Sequence, residues 1–109
     1  MINEPNIYQG DQYPLPIRIR IGNELVTDQN IGAIRILIGP IKQEWPDGAL
    51  YFDNERWHFP LMQRQTLKLP AGTVDLDIQL MKNGEIIGSG TRKMLVGSSR
   101  FTDEWDVVL

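Results

Sequence analysis

The chain is patterned in twos. Between Tyr13 and Ile21, the residues Ile17, Ile19 and Ile21 fall on one side of an extended backbone, with Arg18 and Arg20 on the other. Period-two alternation of this kind predicts a strand with one buried face. Pro14 and Pro16 cannot donate to a ladder, so the start of this segment is expected at a sheet edge. The clearest alternation runs from Thr73 to Met81, where Val74, Leu76, Ile78 and Leu80 interleave with Asp75, Asp77 and Gln79. Asn83-Gly84 follows at once, the dipeptide that best tolerates the positive φ angles of a type I′ hairpin turn. The returning strand is expected over residues 85–96, with Gly88 and Gly90 marking a bulge or twist.

Other segments read as shorter strands. Residues 33–38 point Ile34, Ile36 and Ile38 one way, and 49–52 follow a Pro46-Asp47-Gly48 turn. A turn at 53–55 leads into 56–62, where Trp57, Phe59 and Leu61 share a face opposite Arg56, His58 and Met62. Residues 66–69 are expected as a short strand closed by Pro70-Ala71-Gly72, and Leu25-Val26 as a hairpin return after Gly22-Asn23. No window holds a sustained helical stripe. About seven or eight short strands at this spacing predict an all-β fold, an antiparallel immunoglobulin-like β-sandwich, with a small, partly open β-barrel as the alternative.

The 109 residues suffice for one domain, and a chain of this size buries roughly 65% of the surface it exposes when unfolded. Residues 1–97 are read as that single domain. Residues 98–109 differ: Asp103, Glu104 and Asp106 stand against Arg100 alone, yet the segment also holds Phe101, Trp105, Val107, Val108 and Leu109. That apolar content is high for a solvated tail. The segment is expected to dock on its own domain or on a partner, with Phe101, Trp105, Val107 and Leu109 as the contact residues.

Charge and composition narrow the function classes. Eleven basic residues against fourteen acidic ones lack the basic excess of a nucleic-acid binder. Without cysteine there are no disulfides, thiolate metal sites or cysteine nucleophiles. Residues 1–12 lack the basic-then-apolar pattern of a secretory signal, and no stretch approaches the ~20 apolar residues of a membrane helix. The protein is therefore expected in the cytoplasm, away from membranes.

Candidate chemistry is sparse. His58 is the one histidine, placed in mid-strand on the face opposite the core aromatics, so solvent exposure is the expectation. Asp75 and Asp77 project from the same strand face, and with Asp53 and Glu55 they supply oxygens that calcium would accept, but no loop here resembles a calcium loop. The Gly84–Gly90 run lacks the lysine and the following helix of a phosphate loop. Trp45, before Pro46, and Tyr51 are the candidate aromatics for stacking a sugar ring, in the alternative reading of the chain as a carbohydrate- or host-surface-binding β-sandwich module. No enzymatic activity, metal, cofactor or small-molecule ligand is expected.

Several segments also resemble a family. Gly10-Asp-Gln-Tyr-Pro-Leu-Pro-Ile-Arg-Ile19, Ile34-Arg-Ile-Leu-Ile-Gly39 and Trp57-His-Phe-Pro-Leu-Met-Gln63 look like stretches of small proteins from bacteriophages and prophages of Gram-positive bacteria. Thr66-Leu67, Ile86-Ile-Gly-Ser89, Val96-Gly97 and Trp105 extend the likeness over most of residues 10–105. The chain is also similar to the β-sandwich modules at the N-termini of phage upper-baseplate proteins. The resemblance implies a structural part of a tail or baseplate, assembled in the cytoplasm and then carried in the virion. Its implied partners are other phage structural proteins or further copies of itself. The matching segments are turns and strand cores, so no catalytic residue carries over.

Overall fold

The isoleucine-rich stretch β5 (Ala33–Ile38) forms the centre of the larger sheet, and its alternation explains why. Ile34, Ile36 and Ile38 are fully buried, while Arg35 and Leu37 point to solvent. The computed structural model describes residues 6–98. In it, β5 lies between β6 (Ile41–Trp45) and β9 (Gly72–Lys82), and β9 pairs with β10 (Glu85–Gly97). A two-residue β1 (Ile7–Tyr8) runs parallel to the end of β10, with Ile7 opposite Val96 and Tyr8 opposite Gly97. The larger sheet thus has the order β1-β10-β9-β5-β6, antiparallel except at β1.

A second sheet has the order β2-β8-β7, from β2 (Tyr13–Ile17), β8 (Arg56–Leu61) and β7 (Tyr51–Asp53). A small hairpin, β3 (Arg20–Ile21) with β4 (Glu24–Leu25), stands apart from both. The inner faces of the two main sheets share one core: Leu15, Trp57, Phe59 and Leu61 from the smaller, and the β5 isoleucines, Val74, Leu76, Leu80, Met94 and Val96 from the larger. The chain is therefore all-β in class, built from curled sheets with one short helix among the described residues.

Trp57 links the sheets. It is fully buried, with its ring 5.1 Å from that of Trp45 on β6 and 5.3 Å from that of Phe52 on β7. Its indole Nε1–H donates to the carbonyl of Val26 at 3.0 Å, which ties in the segment that follows β4. A buried tryptophan needs such an acceptor, because an unpaired indole N–H would keep its full desolvation cost.

The β9–β10 hairpin matches its sequence signal. Asn83 and Gly84 both have positive φ, 54° and 79°, and the strands pair from Glu85–Lys82 to Val96–Gly72. The register slips between Ile86 and Gly88, which leaves Ile87 as the extra residue of a bulge. Replacing Asn83 by alanine should cost about 1 kcal/mol, because a side chain that cannot bond locally is disfavoured in the left-handed region. Glycine at the same position should cost less, and urea unfolding of the two variants would distinguish them.

Three sequence expectations need correction. Residues 13–21 do not form one strand: pairing with β8 stops at Ile17, and β3 starts only at Arg20. In consequence Ile19 is buried while Ile21, expected on the same face, is exposed. Ile41–Trp45 is a strand that the alternation did not signal, since Lys42, Gln43 and Glu44 are polar on both faces. Residues 66–69 are not a strand; a short helix α1 (Gln63–Leu67) lies there. Gln65 accepts a hydrogen bond from the Met62 N–H through its side chain, half of a capping box. The Thr66 hydroxyl is fully buried, donating to the Asp11 carbonyl at 2.7 Å with the Gln63 carbonyl at 3.1 Å, and accepting from the Gly10 N–H at 3.0 Å.

The same corner holds Tyr13, whose hydroxyl donates to the Asn6 carbonyl at 2.6 Å. Burial, and then the charge of Asp11, push the Tyr13 phenol above its ordinary value of 10.0. A phenol that ionises later when folded leaves stability whole below pH 10 and erodes it as pH rises from there through the folded pKa. The native protein should therefore lose stability above pH 10 more steeply than Tyr13→Phe, as read from unfolding midpoints at matched pH.

Candidate functional site

Where β2 ends and the chain turns toward β3, the two sheets part and a groove opens between that segment and β9–β10. Its walls are Ile17, Ile21, Leu76, Ile78 and Leu80, and its volume is about 380 Å³. The floor along β10 is bare, because the residues that face inward there are Gly88 and Gly90. Arg18, Arg20 and Arg92 surround the apolar interior. Arg18 sits 3.8 Å from Glu55, whereas Arg20 and Arg92 have no carboxylate partner among the described residues. Ile86 and Ile87 precede the bare stretch and are 59% and 44% exposed, unusual for isoleucines in a strand and its bulge.

The edge of β10 adjoins this groove. β1 covers it only at Val96 and Gly97, and Asn6 bonds Leu95 in both directions, N–H to carbonyl at 2.9 Å and side-chain oxygen to N–H at 3.0 Å. From Glu85 to Met94, no described residue pairs with the outer edge. An unpaired strand presents a row of backbone donors and acceptors that another chain can match. The edge strand β2 is different, since Pro14 and Pro16 remove two donors from it.

On the outer face of the larger sheet lies a shallow polar trough of about 470 Å³, lined by Arg35, Lys42, Asp77, Gln79 and Thr91 among others. Its charges are largely neutralised internally. Lys42 and Arg35 lie 3.0 and 3.6 Å from Glu44, Thr91 donates to Asp77 at 2.7 Å, and Lys93 pairs with Asp75. A trough whose ions already have partners offers little net charge to a ligand.

The residues singled out from sequence are dispersed. Trp45 precedes a cis Pro46 and packs edge-on to Trp57, on the core side of β7–β8. Tyr51 lies on the opposite, outer side, 43% exposed and stacked on His58 at 4.8 Å. The two aromatics do not form a common platform for a sugar ring. His58 is half-buried rather than freely exposed. Its Nε2–H donates to the Asp53 carbonyl at 3.1 Å, and its buried Nδ1 has no hydrogen-bond partner among the described residues. Asp53 ends β7, Glu55 lies in the β7–β8 turn, and Asp75 and Asp77 belong to the other sheet; among the described residues, no three His, Asp or Glu side chains gather as a metal-holding group. The Gly84–Gly90 run forms the turn and the bulge.

Phe101, Trp105, Val107 and Leu109 lie outside the described residues. No described helix is long and apolar enough to cross a membrane. Sequence reasoning did not find the groove. The one local signal was Gly88-x-Gly90, two side-chain-free positions of the same parity in a strand whose partner is strongly apolar. No family model, curated protein or solved structure matches this chain.

Proposed function

We propose that this protein is a non-enzymatic structural module of a phage tail or baseplate, an immunoglobulin-like β-sandwich that acts through protein–protein contacts. The observation that carries the reading is the open edge of β10 from Glu85 to Met94, set beside an apolar groove and the exposed Ile86 and Ile87. Such an edge supplies main-chain hydrogen bonds for an added strand, and the groove supplies a seat for its side chains. The strand order supports the sandwich. β2-β8-β7 faces β1-β10-β9-β5-β6, the arrangement of an immunoglobulin B-E-D sheet opposite a G-F-C sheet widened by two strands, β1 at one edge and β6 at the other. The tail or baseplate setting rests on the resemblance of residues 10–105 to phage proteins.

The test is whether the chain is part of the particle. Virions purified from the strain that encodes it should contain the protein in fixed ratio to the other tail proteins, by quantitative mass spectrometry. A photocrosslinking residue in place of Ser89, on the open edge, should join it to a neighbouring chain, whereas one in place of Tyr51 should not. A protein absent from purified particles would refute the proposal.

A further inference from the structure

We propose that the groove beside β10 receives residues 99–109 of a second copy of this chain, so that two copies exchange their C-terminal segments. This rests on the reading that the protein works through protein–protein contacts, and it names the first partner as the chain itself.

Charge and apolar content match. The groove is apolar inside and has two arginines, Arg20 and Arg92, without carboxylate partners among the described residues. Residues 99–109 combine Asp103, Glu104 and Asp106 with Phe101, Trp105, Val107 and Leu109. Arg92, on the open strand edge and without a carboxylate partner among the described residues, deters a basic strand and favours an acidic one. Aromatic anchors such as Trp105 are the residues that dominate interface energetics when seated in a pocket.

Space is held open for an occupant. A Cβ placed on Gly90 would meet no atom within 4 Å, and its φ is not in the left-handed region, so neither crowding nor backbone geometry demands glycine there. The bare position leaves room for side chains from elsewhere.

Topology selects a second copy. The segment departs after Ser98, at the end of β10 where β1 and Asn6 already occupy the edge beside Leu95, Val96 and Gly97. A tight hairpin return onto its own β10 is therefore blocked. The open edge from Ile87 to Met94 is eight residues, about 26 Å long, and eleven extended residues span up to about 37 Å. A neighbouring copy can lay its segment along the full edge, and a two-fold axis makes the exchange reciprocal.

Three variants of the 109-residue chain test this by sedimentation across a wide concentration range, with circular dichroism to confirm folding. The native chain should be dimeric. Arg20→Glu with Arg92→Glu should become monomeric, and so should Asp103→Lys with Glu104→Lys and Asp106→Lys, each weakening association on the order of 100-fold. Mixing these two variants should restore a dimer, because the reversed groove of one chain then meets the reversed segment of the other, while the native groove of the second receives the native segment of the first. Gly90→Val should abolish the dimer while leaving the melting temperature unchanged or raised, since valine suits an uncrowded strand position. A native chain that stays monomeric at every concentration overturns the exchange, as does a failure of the mixed variants to pair. Either result leaves the virion measurement above free to stand or fall separately.

Discussion

Trp57→Ala should be the most damaging substitution in the molecule, costing about 3–5 kcal/mol. The indole is fully buried, touches aromatics from both sheets, and holds the segment after β4 through its bond to Val26. Alanine removes the transfer energy of the ring, leaves a cavity that the surrounding strands cannot fill, and strands a carbonyl. Against a total stability of roughly 5–15 kcal/mol for a domain of this size, such a loss leaves a protein that is close to unfolding at room temperature. The melting temperature should fall by roughly 15–30 °C. Trp57→Phe separates the contributions, because it keeps much of the apolar volume and forfeits the hydrogen bond. An unpaired buried acceptor costs about 1–3 kcal/mol, so phenylalanine should fall between alanine and the native residue. Urea unfolding, followed by circular dichroism because the substitution alters tryptophan emission, measures both. A loss below about 1 kcal/mol for alanine would mean that the two sheets are not joined through this ring.

Thr66→Val should cost about 2 kcal/mol although it changes hardly any volume. The hydroxyl accepts from the Gly10 N–H and donates to the Asp11 carbonyl, 56 and 55 residues away in sequence, and valine leaves both backbone groups without it. Gln9 reinforces the junction by donating from its side chain to the Leu69 carbonyl at 2.7 Å. The loss should appear first as local opening. Hydrogen exchange at Gly10 should accelerate more than exchange in β5, which lies between two neighbouring strands. Thr66→Ser keeps the hydroxyl and gives up one methyl, so it should lose only about 0.8 kcal/mol. If serine and valine are equally damaging, the hydroxyl is not what anchors α1.

Together these residues show two kinds of support. Trp57 joins sheet to sheet through area and shape, whereas Thr66 joins helix to loop through directed bonds. The groove lies where neither operates. Beyond Ile17 the chain leaves the smaller sheet, and Gly88 and Gly90 bring no side chains to fill the space opposite. The site proposed for a partner is thus the place where the core ends early.

The alternation of β5, β8 and β9, and the Asn83-Gly84 turn between β9 and β10, were legible in the chain alone, because each depends on neighbours one or two residues away. A buried face needs apolar side chains at every second position, and a tight hairpin needs positive φ, so composition and spacing state both directly. That is why the all-β class and the inward direction of Trp57, Phe59 and Leu61 could be read in advance. The helix at Gln63–Leu67, the break after Ile17, the strand Ile41–Trp45 and the groove belong to the tertiary structure. The Gln63–Leu67 helix is held by Thr66 bonds to residues more than fifty positions away, and the 41–45 strand by pairing across β5. The break after Ile17 shows only because pairing with β8 stops there, and the groove is the gap between two sheets that diverge at that point. Each depends on partners distant in the chain, which no pattern of neighbouring residues can encode.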